Sequence, residues 1–215
     1  MKDFNDAMFR AASRFRPRER EIGEFARIRG RGMRFRVRAF EAPGAGGLCL
    51  IETRAFAGLM KMETAVFSPT GLDGPLFSMD MISAMGRDTL LLELYDTTLS
   101  HPDFAALDEI KARYAELSGY DPGEHWYDSM RLAVSDYKRG RKTAGAYDPY
   151  VRDYAQRYFA LLAGCPRCDE TEKKKQNAVF ADGLLQNGGP AVDQFRKMLG
   201  EEKTAEFLRT VMFRC

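Results

Sequence analysis

Leu76-Phe77-Ser78-Met79-Asp80-Met81-Ile82-Ser83-Ala84-Met85-Gly86-Arg87-Asp88-Thr89-Leu90-Leu91-Leu92-Glu93-Leu94-Tyr95 reads as two apolar strands, 76–84 and 89–95. The link Met85-Gly86-Arg87-Asp88 is too short to hold a crossover helix, so the strands must run antiparallel. Upstream, Met60 to Phe67 is a third strand. Before it, Phe35, Val37 and Ala39 alternate with Arg34, Arg36 and Arg38, and the turn Pro43-Gly44-Ala45-Gly46-Gly47 leads into Leu48 to Thr53, which predicts a hairpin. These short links make an antiparallel meander. Phe4, Ala7, Met8, Ala11 and Phe15 repeat at helical spacing ahead of Pro17, and predict an opening helix that caps the sheet.

The second half changes period. Helices are predicted over 105–117, 149–163, 170–185, 191–199 and 204–213, and Arg131 to Ser135 adds one more strand. Strands first and helices afterwards predict an α+β fold with helices laid over an antiparallel sheet. At 215 residues and 45% hydrophobic content the chain can build one sizeable core, so residues 1–215 are expected to form a single domain.

Charge is unevenly placed. Residues 1–40 hold Lys2 and eleven arginines against five acids, about +7, which leaves about −5 for the rest of a chain with net charge +2. This asymmetry points to an acidic partner, whether protein, nucleic acid or lipid surface. No stretch approaches 18 consecutive apolar residues and no apolar signal core opens the chain, so a cytoplasmic protein without a membrane partner is expected. Cys49, Cys165, Cys168 and Cys215 are too few and too irregular for a disulfide framework. Cys165-Pro166-Arg167-Cys168 is a lone CxxC without the second half of a zinc site, so no metal is expected.

No strand is followed by GxGxxG and no GxxxxGK[ST] occurs, which leaves no readable nucleotide site. His101 and His125 are the only histidines, and neither lies near a nucleophile motif. The acids are more informative. Glu52, Glu63, Asp80 and Glu93 each sit among apolar neighbours in successive strands, where mid-strand residues on one face approach to about 5 Å. A carboxyl buried without a partner holds its proton toward neutral pH, which is what a proton donor needs. Asp80 is the sharpest case. Alternation alone does not say which of the four share a face, and an acid on the wet face of a one-sided sheet would look the same.

Phe67-Ser68-Pro69 followed by Gly74-Pro75-Leu76-Phe77-Ser78-Met79-Asp80-Met81-Ile82 resembles the "F-P … P-L-F-G-x-D-I" segment of ferredoxin-dependent bilin reductases, the relatives of phycocyanobilin:ferredoxin oxidoreductase. Asn187-Gly188-Gly189-Pro190-Ala191 with Leu199-Gly200-Glu201-Glu202-Lys203-Thr204-Ala205-Glu206-Phe207-Leu208 resembles the family's C-terminal block, and Glu124-His125-Trp126-Tyr127-Asp128-Ser129 is a weaker likeness. The matches keep their order from about residue 33 to the C-terminus.

The resemblance implies a three-layer α/β/α sandwich with a central antiparallel sheet. It also implies a linear tetrapyrrole such as biliverdin as substrate, no tightly bound cofactor, and reduced ferredoxin supplying electrons while side chains supply protons. Asp80 matches the catalytic aspartate. Glu63 falls where phycocyanobilin-forming members carry a histidine, and Glu52 matches an active-site glutamate. Asn187 and Ser78 are implied near the substrate, and Arg54, Lys61 and Arg131 are the candidates to hold its propionates. A glutamate in place of the histidine implies an acid pair beside Asp80 and a product that need not be phycocyanobilin. The Arg-rich region would receive ferredoxin, with the protein a monomer that binds no nucleic acid. Two other readings stay open: a bilin-binding protein without turnover, and a nucleic-acid-binding module using residues 10–38.

Overall fold

The structure, a computed structural model, describes residues 4–215; Lys2 and Asp3, which enter the N-terminal charge count, lie outside the described residues. Among the described residues eight strands form one sheet. They are β1 (Arg18–Arg20), β2 (Arg27–Gly30), β3 (Met33–Ala42), β4 (Gly46–Ala55), β5 (Met60–Pro69), β6 (Leu76–Ala84), β7 (Arg87–Tyr95) and β8 (Asp136–Arg141). The order is β3-β4-β5-β6-β7-β8, all antiparallel, and β1 and β2 share the outer edge of β3.

Both faces of the sheet are apolar at alternate positions, so both demand cover. On one face Leu50, Ala65, Phe67, Met79, Met81, Leu90 and Leu92 pack against α1 (Phe4–Ala11), α2 (Asp108–Arg113) and α3 (Asp148–Leu162). On the other, Phe35, Val37, Cys49, Ile51, Val66 and Leu76 pack against α4 (Glu170–Asn187), α5 (Pro190–Leu199) and α6 (Glu201–Glu206), the last of which runs into a π-helical turn, Phe207–Met212. The result is the α+β sandwich, three layers deep.

Helix α3 shows why the inner layer is specific. Tyr150, Tyr154 and Tyr158 recur at four-residue spacing, are fully buried, and form one helical stripe. Each ring adds apolar area, but each hydroxyl needs a partner. Tyr150 donates to Asp136, Tyr154 to the Val134 carbonyl at 2.8 Å and Tyr158 to the Pro75 carbonyl at 2.8 Å. The stripe thereby anchors the loop before β6 and the segment entering β8.

A buried ion pair joins the outer layer to the same loops. Lys173 of α4 is 0% exposed; its Nζ donates to the Thr97 carbonyl and lies 3.9 Å from Asp73 Oδ1. Asp73 in turn accepts from the Leu99 and Ser100 amides, both at 2.7 Å. Burial lowers the Lys173 ammonium to about 8, against the pull of Asp73.

Two sequence expectations differ from the structure. The strand expected at Arg131–Ser135 is displaced to β8, and only Arg131 bridges back to Tyr95. An edge strand tolerates polar residues, and Asp136-Tyr137-Lys138-Arg139-Gly140-Arg141 has no apolar run to give it away. The helix expected over 105–117 is cut to a 3₁₀ turn at Ala105–Leu107 and α2.

Replacing Tyr154 by Phe should lower stability by about 1–2 kcal/mol, because the Val134 carbonyl is left without its buried donor. Urea unfolding of both proteins reads this directly.

Candidate active site

In an antiparallel sheet, paired residues point to the same face, so the register decides which acids meet. Asp80 pairs with Thr64 of β5 and Leu91 of β7, and Ser78 pairs with Glu93. Thr64, Ser78, Asp80, Leu91 and Glu93 therefore stand together on the face that α4–α6 cover. Cover is incomplete there. Met62, Ser78, Asp80, Ile82, Thr89, Leu91 and Tyr137 are only half-buried, whereas Val37, Cys49, Ile51 and Val66 on the same face are sealed. The half-covered group forms a largely apolar floor with one carboxyl in its middle.

Asp80 accepts a hydrogen bond from the Thr64 hydroxyl at Oδ1. Burial pushes its carboxyl up to about 6; the Thr64 bond opposes the shift and the nearby Glu93 charge adds to it. Glu93 is also raised by burial, and is held back by Tyr137 and Tyr95 and by the charges of Arg131 and His125. The Tyr137 hydroxyl donates to Glu93 Oε1 at 2.8 Å. Two carboxyls that each resist ionisation thus share one face.

The loop between α2 and β8 roofs this floor. Arg131 sits 2.9 Å from Asp128 and 5.2 Å above the Tyr137 ring. His125 stacks on Tyr127, centroids 4.8 Å apart, and its buried Nδ1 has no hydrogen-bond partner among the described residues. The loop is wedged against α4 at Gly183, where a Cβ would come within 2.4 Å of the Trp126 ring. Only glycine allows that approach.

The expected site residues divide between the faces. Asp80, Ser78 and Arg131 come together. Glu63 pairs with Met81 and Glu52, on the opposite face, where Glu63 Oε2 accepts from the Asn5 amide at 3.1 Å and Glu52 is exposed. The expected acid pair of Glu63 with Asp80 is therefore corrected: adjacent positions in paired strands point apart. Arg54 and Lys61 pair with each other on the Glu63 face. Asn187 is exposed at the end of α4 and donates to the Gly183 carbonyl at 2.9 Å. The carboxyl that shares Asp80's face is Glu93, recognised in the sequence as a strand acid but not as a site residue. Cys165 and Cys168 are apart from this cleft, their thiols directed at the Leu161 and Thr70 carbonyls. Among the described residues no group of three His, Cys, Asp or Glu could hold a metal ion, and no helix is long and apolar enough to cross a membrane.

No protein-family model matches the chain, and no curated protein matches it. Among solved structures, the crystal structure of phytochromobilin synthase from tomato in complex with biliverdin superposes with a TM-score of 0.67 at 11% sequence identity, covering 94% of this chain and 78% of that one. The chain has the fold of phytochromobilin synthase. At this identity the likeness rests on backbone architecture; in this chain the Asp80 floor lies on the face of the sheet that the C-terminal helices cover.

A raised carboxyl has a signature in stability. Between about pH 4 and 6 folded Asp80 keeps the proton that the unfolded chain has released, so stability falls as pH rises through that window. Asp80→Asn has no charge to bury. It should match wild type near pH 4 and exceed it by about 2–3 kcal/mol at pH 8. Urea midpoints across pH test this, and parallel profiles would mean an ordinary carboxyl.

Proposed function

We propose that this protein, acting as one domain in the cytoplasm, is a ferredoxin-dependent bilin reductase. The observation that carries the proposal is the place of Asp80: a carboxyl among the half-buried Met62, Ile82 and Leu91 on the sheet face that the C-terminal helices cover, raised by burial to about 6. A linear tetrapyrrole is flat, apolar across its rings and polar at its propionates and pyrrole nitrogens. The floor offers Met62, Ile82 and Leu91 to the rings, with Ser78, Asp80 and Arg131 at the polar points. That the tomato enzyme of this fold was crystallised with biliverdin supports the choice of substrate class.

Reducing one double bond takes two electrons and two protons. Reduced ferredoxin, a one-electron donor, delivers the electrons singly, and each added electron makes the bilin more basic. Asp80 then gives its proton to the bilin, because its pKa keeps it loaded close to working pH. Glu93, with Tyr137 on its carboxylate, reloads Asp80 from solvent. Arg131 balances a propionate, and Asn187 closes over the substrate from the end of α4. Ferredoxin is acidic, and it docks on the concavity of about 350 Å³ lined by Arg27, Arg29, Arg34, Arg36 and Arg54, whose only acid is Glu52.

Anaerobic mixing of the protein with biliverdin, ferredoxin and a reducing system should move the pigment spectrum through a radical to a reduced bilin. Asp80→Asn should slow the first protonation at least about 100-fold, and Glu93→Gln about tenfold with a displaced pH profile. Glu63→Gln, on the other face, should change the rate by less than about threefold. A bound-pigment spectrum that never evolves would make this a bilin-binding protein instead.

A further inference from the structure

We propose that the rim formed by the hairpin tips of the sheet docks onto an anionic lipid bilayer. The tips are level. Gly30, Met33, Ala55, Met60, Ala84, Arg87 and Arg141 stand in one continuous cross-strand row, so the turns after β2, β4 and β6 end together. Seven strands at about 4.8 Å spacing make this rim roughly 29 Å long.

The tips carry the wrong residues for ordinary turns. Phe56 is 63% exposed, Leu59 79% and Met85 98%, three of the five exposed large apolar side chains among the described residues. Met85-Gly86 and Arg31-Gly32 are two-residue turns with both φ positive, at 51° and 73° and at 48° and 74°. Asn, Asp or Gly fills the first place of such turns with least strain, and here Met and Arg occupy it. Phe56 and Ala57 are also left-handed, at 52° and 53°. Nothing in the fold covers these side chains, so their apolar surface lacks a folding role.

The charge behind them is one-sided. In the next row inward Arg29, Arg34, Arg54 and Lys61 stand side by side across four adjacent strands. Like charges directly opposite destabilise a sheet, and Arg29, Arg34 and Arg54 have no carboxylate within 4.0 Å among the described residues. Arg31, Arg87, Arg141 and Lys142 complete the rim, with the Lys142 amide donating to the Gly86 carbonyl at 2.9 Å. Against these eight cations the two rows hold one carboxylate, Asp88, which is buried and bonded to Ser83.

Apolar side chains at the tips with a belt of cations behind them match a bilayer, which presents phosphate charge outside and hydrocarbon beneath. Ferredoxin, proposed to dock on the concavity that holds Arg29, Arg34 and Arg54, accounts for those three but not for Arg87, Arg141, Lys142 or the projecting Met85 and Leu59, which lie outside that concavity. Such surface contact needs no membrane-crossing segment, and among the described residues no helix is long and apolar enough to be one. Asp80 lies four residues in from the rim, about 13 Å, so the cleft would open beside the bilayer.

The test is co-sedimentation of the full chain with phosphatidylcholine vesicles, with and without about a quarter phosphatidylglycerol. Wild type should bind the anionic vesicles, ignore the neutral ones and release on raising salt. Phe56→Ser combined with Leu59→Ser and Met85→Ser should bind at least about tenfold more weakly while keeping the wild-type circular dichroism spectrum. Absence of binding to anionic vesicles would overturn the proposal, as would a tip variant that binds as well as wild type. A wild-type dimer in sedimentation velocity that the tip variant converts to monomer would also overturn it, by showing that a second copy covers the rim.

Discussion

The pairing of Thr64 with Asp80 is the constraint on which the rest of this molecule depends. Side chains alternate along a strand, so a slip of one residue between β5 and β6 would set Asp80 opposite Glu63 or Ala65 and turn it to the α3 layer. The buried apolar sets on both faces forbid that slip. Ala65, Met79 and Leu92 must reach the tyrosine stripe of α3, and Val66 and Leu76 must reach α4–α6. The position of the acid is therefore held by packing energy spread over the whole sheet.

Given that register, the chemistry of the cleft follows from burial. Asp80 has one neutral donor, the Thr64 hydroxyl, and a second acid on its face, too little to offset the loss of water. Glu93 has more help, from Tyr137, Tyr95, Arg131 and His125, yet stays raised. Two carboxyls raised by burial thus share the half-buried floor.

Much of this was legible beforehand, and the failures have physical causes. The meander, the helical second half and Asp80 as an acid in an apolar strand all come from short links and periodicity. The two-residue turn Met85-Gly86 would also have set the β6–β7 register, pairing Ala84 with Arg87 and so Ser78 with Glu93. A four-residue link would instead pair Ala84 with Thr89 and so Asp80 with Glu93; either length puts Glu93 on Asp80's face, and the resemblance drew the assignment to Glu63 instead. The β5–β6 link, Thr70 to Pro75, is irregular, tied down by Asp73 and by Arg167 opposite Leu72, and no local pattern reveals how many residues it consumes. Glu63 was placed by resemblance to a family position, which carries the residue number but not the direction of the side chain. The β8 strand escaped because an edge strand lacks an apolar run.

By itself the sequence determined the class of the fold, an antiparallel sheet followed by helices, and the presence of a carboxyl where a sheet normally carries an aliphatic residue. It also determined the uneven charge that leaves one end of the sheet basic. Only the tertiary structure decided that Glu63 lies on the face opposite Asp80, that His125, Tyr127 and Arg131 roof the Asp80 face, and that the hairpin tips align into one rim. The reason is that period and turn length are local, whereas register across an irregular loop and the docking of a distant segment are settled by which apolar surfaces the whole chain can bury at once.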